Sequence, residues 1–301
     1  MSSGLTGRDD AGTGWTFELA QGRCLRVRRD RPTIFGILNV TPDSFSDGGL
    51  YSSCESAIAR ALELIEQGAD VIDIGGESTR PGSLPVSDAE QVRRVVPVIE
   101  GVRASSDGLI SIDTSSPSVA AAAFAAGADI ANDVNGFRHP GWESVLRMTT
   151  CPLIVMHMLR QPRDMQDDPS YPNGVTEAVR GFFEARLEDL SSWGLYLRRV
   201  ILDPGIGFGK RLQHNLELIR NIEELRICQR PILVGLSRKR FIGTLLGHEV
   251  GQRDIGTVAA NMVALFAGAN MLRVHNVPYT KELVSIFAAI QCGSRTEDSD
   301  S

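Results

Sequence analysis

Apolar and polar positions fall into two repeating registers along this chain of 301 residues. Short runs that are apolar on both faces recur at 34–38 (IFGIL), 71–74 (VIDI), 109–112 (LISI), 128–131 (ADIA), 153–156 (LIVM), 199–202 (RVIL), 231–235 (PILVG) and 270–274 (NMLRV). Between them, apolar residues recur three and four apart over 56–67, 87–102, 117–126, 176–193, 215–225, 241–246, 257–267 and 279–290. The first set predicts buried parallel strands and the second the helices that cover them. Three helices close on Gly68-Ala69-Asp70, Gly127-Ala128-Asp129 and Gly268-Ala269-Asn270, a left-handed glycine stop leading into the next strand.

Strand and helix alternate eight times, which predicts an α/β fold, the (β/α)8 TIM barrel, with a doubly wound open sheet as the alternative. Ahead of the first unit, 15–28 alternates apolar and polar around Gln21-Gly22 and predicts a short N-terminal β-hairpin placed to plug one end. Residues 1–14 and 293–301 are small and polar and read as disordered tails, leaving 15–292 as one domain. The stretch 159–175, with five charges and three prolines, reads as a loop over the site.

Composition narrows the function classes. A net charge of -6 argues against nucleic-acid binding, while local arginines still allow a small anion. The five cysteines are scattered with no CxxC pair, which fits a reducing cytoplasm and neither a disulfide framework nor a thiolate zinc site. No signal-peptide order and no apolar run near the roughly 18 residues of a membrane span occur, so no membrane association is expected.

A barrel of this kind carries its active site at the C-terminal ends of its strands. Those ends read Asn39, Asp73, Asp113, Asn132, His157, Asp203, Ser237-Arg238-Lys239, and Arg273 with His275. Asp113 and Asp203 follow apolar runs, so each carboxylate must find donors, either by capping the next helix or by gripping a ligand edge with adjacent N–H groups, such as a 2-aminopyrimidinone. Asn132 adds a mixed donor and acceptor. Arg80, Lys239, Arg273 and His275 suggest an anion site; Lys239 also admits a Schiff-base reading, although its Ser-Arg-Lys-Arg setting favours an anion. The run 203–210 (DPGIGFGK) departs from a phosphate loop at Pro204 and Arg211; its glycines instead allow close approach to a flat ligand, with Phe208 as a stacking face. Histidine spacing offers no transition-metal triad, whereas Asn39, Asp43 and Asp47 offer hard oxygens suited to a weakly held Mg2+ completed by substrate phosphate.

With GILNVTPDSFSDGG, DIGGESTRPG, SIDTSSP, NDVNG, VMHM followed by MQDDPSY, LDPGIGFGK, VGLSRKRFIG and RVHNV in order over 33–290, the chain resembles the dihydropteroate synthases, the folate-pathway members of the pterin-binding barrel enzymes. The resemblance implies condensation of 6-hydroxymethyl-7,8-dihydropterin diphosphate with 4-aminobenzoate, by early loss of diphosphate from a cationic pterin methylene. It implies that Asp113, Asn132, Met156, Asp203, Phe208 and Lys239 hold the pterin, and that Asn39, Arg80, Arg273 and His275 meet diphosphate, with Asn39 on Mg2+. Phe45, Thr79, Pro81, Lys239 and Arg240 would form the aminobenzoate side, and Asp113, Asp203, Lys239, Arg80, Phe45 and Asp47 the catalytic set. The chain departs from the common pattern at Arg240, Leu236 and Asn276, which bears on aminobenzoate affinity. A homodimer through late helices is also implied, with Ala259, Val263, Phe266 and Ala267 as one contact face. A pterin-dependent methyltransferase of the same superfamily and a non-catalytic pterin-binding paralogue stay open; the intact motifs argue against the second.

Overall fold

In the computed structural model, residues 14–41, 49–78, 83–161 and 164–292 are described. Strands β1 (Gly14–Glu18) and β2 (Cys24–Arg28) pair antiparallel as the expected hairpin. Then come β3 (Thr33–Asn39), α1 (Gly49–Glu66), β4 (Val71–Gly75), α2 (Asp88–Ser105), β5 (Leu109–Asp113), α3 (Pro117–Ala126) and β6 (Ile130–Asp133). The chain continues through α4 (Trp142–Arg147), β7 (Leu153–Met156), α5 (Val175–Ser192), β8 (Val200–Asp203), α6 (Leu212–Arg220), β9 (Leu233–Val234), α7 (Arg240–Leu246), α8 (Asp254–Phe266), β10 (Met271–Val274) and α9 (Val277–Cys292).

Strands β3 to β10 form one parallel sheet in the order β8-β7-β6-β5-β4-β3-β10-β9. A bridge between Leu202 and Ile232, with the Leu202 amide donating to the Pro231 carbonyl at 3.0 Å, joins β8 to the β9 edge and closes the barrel. The open-sheet alternative is thereby set aside.

Period-two alternation sorts each strand. Outward residues such as Ile34, Ile72, Ile110, Leu153, Leu202 and Leu272 pack against the helices in one large core. Inward residues at the strand starts, Phe35, Val71, Ile130, Ile154, Ile201, Leu233 and Met271, form a second core with Trp15, Phe17, Leu25 and Val27 of the hairpin. The hairpin therefore seals the N-terminal end of the barrel. Burying this apolar plug stabilises the fold by removing its aromatic surface from water. Arg23 fastens the plug by donating to Asp129 at 2.8 and 3.0 Å.

The Gly-Ala-Asp repeat has a structural cause in the barrel. Gly68, Gly127 and Gly268 take left-handed φ of 102°, 113° and 113°. The following polar side chain then accepts the backbone N–H that opens a neighbouring strand: Asp70 from Ile34, Asp129 from Ile110, and Asn270 from Ile232. This moves β6 two residues later than the apolar run suggests, because Ala128 and Asp129 belong to the clamp. The 215–225 stretch divides into α6 and a 3-10 turn at Ile222–Leu225, and α4, too short to show periodicity, lies where no helix is expected.

Candidate active site

The same alternation decides what reaches the barrel mouth. One inward step above the apolar layer stand Ile37, Asp73, Ser111, Asn132, Met156, Asp203, Gly235 and Arg273, and a further step brings Asn39, Asp113, Ser237 and His275. Polar residues thus succeed apolar ones on the barrel axis, and their charges must neutralise one another there.

Arg273 does so. Its Nε donates to Asp73 at 2.5 Å and its Nη2 to Asp113 at 2.6 Å, while the Asn132 amide donates to Asp73 at 3.3 Å. Burial alone would lower the guanidinium pKa, but the two carboxylates hold it above its ordinary value. Asp113 keeps one oxygen, Oδ1, buried with no hydrogen-bond partner. Burial pushes its pKa up to about 7, against the pull of Arg273 and with help from Asp73, Asp133 and Asp203. Burial likewise raises Asp203 to about 6, opposed by the Gly205 amide that donates to its Oδ1 at 2.7 Å. Lys239 is pushed down to about 8, first by burial and then by Arg273. Its Nζ lies 3.9 Å from the centroid of the Phe208 ring, a cation–π contact.

Two connected spaces result. A cavity of about 460 Å³ opens at the mouth, with Asn39, Ser237, Lys239, Arg240, Arg273 and His275 on its wall. Below it, about 20 Å³ is enclosed by Asp113, Asn132, Met156, Asp203, Phe208 and Lys239, with Arg273 at its side. Phe208, Gly235, Lys239 and Arg273 border both spaces. His275 shares a 2.9 Å hydrogen bond with Ser237. Among the described residues no group of three or more His, Cys, Asp or Glu could hold a metal ion.

The residues expected on the pterin side therefore surround one space, and Asn39, Arg273 and His275 of the expected diphosphate group share the larger one above it. Arg273 reaches lower than an anion contact requires, down to the carboxylates. Arg240 opens α7 on the exposed rim of the cavity. Phe45, Asp47, Thr79, Arg80 and Pro81, together with Asp43, 1–13 and 293–301, lie outside the described residues, and Gly14, expected to end the first tail, instead opens β1. Of the other departures, Leu236 is wholly buried in the core. Asn276 accepts the Tyr279 amide at the start of α9 and donates to Asp254, whose carboxylate receives Arg238 at 2.7 and 2.9 Å.

Two buried residues had no role in the sequence reading. Asp73 is an acid at an inward strand position, a signal that period-two counting exposes. Lys210, the last residue of the glycine-rich run 203–210, is 3% exposed and donates inside the 205–209 turn. Its burial had no sequence signal.

A parallel barrel with an acid floor and a cationic rim at the C-terminal ends of its strands has the architecture of a barrel enzyme. The signature of the pterin binding enzymes matches residues 35–275. The chain is 42% identical over 270 residues to the dihydropteroate synthase of Haemophilus influenzae, covering 90% of this chain and 97% of that protein. It superposes on Xanthomonas albilineans dihydropteroate synthase with 4-aminobenzoic acid at a TM-score of 0.85, with 42% identity over 93% of this chain and 99% of that one. The same enzyme in complex with 7,8-dihydropteroate gives a TM-score of 0.82, 40% identity, and coverage of 93% and 100%. The chain belongs to the dihydropteroate synthases of the pterin-binding enzyme family.

The raised Asp203 pKa makes a stability prediction. The carboxyl titrates from its ordinary 3.8 when unfolded and near 6 when folded, so the folded state holds the proton more tightly between them. Stability therefore falls as pH rises through this window, and ionised Asp203 is a standing cost at neutral pH. Asp203→Asn retains the acceptor for Gly205 and removes that cost. Denaturant unfolding at about pH 7.5 should show the variant more stable by on the order of 1–3 kcal/mol, with the gap closing near about pH 4. A variant less stable than the parent at the higher pH contradicts this.

Proposed function

We propose that this chain joins 6-hydroxymethyl-7,8-dihydropterin diphosphate to 4-aminobenzoate, releasing diphosphate and 7,8-dihydropteroate. The observation that carries the reading is the orphaned Asp113 Oδ1 in an acid-floored space at the end of a parallel barrel. A buried carboxylate oxygen without a donor calls for a ligand N–H. Relatives solved with 4-aminobenzoic acid and with 7,8-dihydropteroate support the identity of the ligands.

In this reading Asp113, Asn132 and Asp203 hold the pterin edge, Met156 and Phe208 line its faces, and Lys239 closes over it. The C–O bond to diphosphate breaks first, leaving a cationic methylene that the floor carboxylates stabilise. Arg273, His275 and Asn39 face the departing anion, with Arg80 as a further contact. The aminobenzoate amine then attacks, forming the C–N bond and releasing its proton. A cationic target asks for no strong base, so this reading gives the Ser237–His275 pair on the cavity wall no proton-abstracting role. Arg240 at the rim, Lys239, Thr79, Pro81 and Phe45 form the aminobenzoate side, and Phe45 and Asp47 complete the catalytic set.

Mg2+ suits this donor set in one form only. Asn39 offers a hard amide oxygen at the cavity wall and would hold the ion together with the substrate diphosphate. When bound, Mg2+ offsets the charge of the leaving group. We also place the chain in the cytoplasm as a homodimer. No described helix is long and apolar enough to cross a membrane, and Ile255, Val263, Phe266, Ile286 and Ile290 leave an apolar face exposed on α8 and α9.

Purified protein with pterin diphosphate, 4-aminobenzoate and Mg2+ should release diphosphate and dihydropteroate in equal amounts, and chelation of Mg2+ should suppress both. Absence of turnover under these conditions contradicts the assignment. Sedimentation should give the mass of two chains, and a monomer at micromolar concentration refutes the dimer.

A further inference from the structure

Beneath the proposed pterin face, a buried lysine meets a complete set of acceptors. Lys210 Nζ lies 2.9 Å from His157 Nδ1, 2.9 Å from the Gly205 carbonyl and 3.0 Å from the Phe208 carbonyl. An ammonium has three donors, and these three partners use them all when His157 is neutral with its proton on Nε2. Burial, then Lys210 itself and Arg138, hold the His157 pKa well below its ordinary value, which favours that neutral form.

The two carbonyls that accept from Lys210 bracket the turn after β8. Gly205, Gly207 and Gly209 all take left-handed φ there, and a Cβ on Gly205 would collide with the His157 carbonyl. Such a turn is loose in its own right, because glycine has the most conformational freedom to lose. Its first amide, Gly205, orients the Asp203 carboxylate at 2.7 Å, and its end carries Phe208. Gln166 holds the Gly207 carbonyl and Tyr171 that of Gly209, Asn215 accepts from the Gly207 amide, all at 2.7 Å, and Lys210 alone among these side chains ties the Gly205 and Phe208 carbonyls together. Taking an ammonium out of water is costly, and an aliphatic side chain would fill the same space without that cost. What the charge provides is order in the turn.

We propose that Lys210 is a positioning residue for the pterin ring: its ammonium ties the end of β7 to the Gly205 and Phe208 carbonyls and thereby fixes Asp203 and Phe208 without touching substrate. The proposal rests on the synthase reading for the identity of the ring. The test uses the full chain with Lys210→Met. The KM for pterin diphosphate should rise by about tenfold to a hundredfold, while the KM for aminobenzoate stays within about twofold. A purely structural lysine would instead lower the fraction of folded enzyme, reducing apparent kcat with both KM values unchanged. Unchanged pterin KM in a folded variant, or equal rises for both substrates, overturns the proposal. Should Lys210→Met fail to fold, His157→Phe removes the imidazole acceptor and leaves the Gly205 and Phe208 carbonyls. It should raise the pterin KM alone by about threefold, and no rise overturns the proposal. If the parent protein shows no turnover, the synthase reading fails on its own. Calorimetric titration of both variants with pterin diphosphate then still decides the role of Lys210, with equal affinity in parent and variants overturning it.

Discussion

The guanidinium of Arg273, shared between Asp73 and Asp113, is the interaction on which the barrel mouth depends. Asp73 is wholly buried, and a carboxylate there without a cation would bear the full cost of leaving water. With Arg273 in place, β10 is tied across the axis to β4 and β5. Asn132 on β6 joins through Asp73, so four strands agree on the position of one charge. The arrangement leaves Asp113 Oδ1 as the unsatisfied remainder, facing the space that a ligand would fill.

Charge is balanced on this floor by more cations than the sequence suggested. Lys239 covers it from above and Lys210 supports it from the side, each pushed below its ordinary pKa mainly by burial. The two carboxylates that face them are pushed upward by the same burial. Acids raised and bases lowered within one enclosed space mark a site held ready at a cost in stability, as expected where function rather than folding selects the groups. The hairpin compensates at the opposite end, where Trp15 and Phe17 complete an apolar layer that needs no charge.

Much of this was legible in the residues. Eight apolar runs with polar endings specified the barrel, and strand periodicity placed Asp113, Asn132, Met156 and Asp203 on its inner wall. The Gly-Ala-Asp repeat read as helix stops, but its acidic residue serves as a clamp on the neighbouring strand, which is why β6 begins later than its apolar run. Asp73 stood in plain view within VIDI, yet a pairing across 200 positions to Arg273 has no local signal. Lys210 resembled part of a phosphate loop because glycines serve both purposes; only packing reveals a buried ammonium that turns inward to its own chain. Asn276 looked like a change in the substrate site, whereas its contacts lie with Asp254 and the start of α9.

The central claim is that this buried floor receives the pterin ring. A crystal structure of the chain with 6-hydroxymethyl-7,8-dihydropterin diphosphate tests it most directly. The account predicts the ring between Met156 and Lys239, with a ring N–H on Asp113 Oδ1 and a second on Asp203, and the diphosphate towards Asn39 and His275. A ring bound elsewhere, with Asp113 Oδ1 still unpartnered, would contradict it.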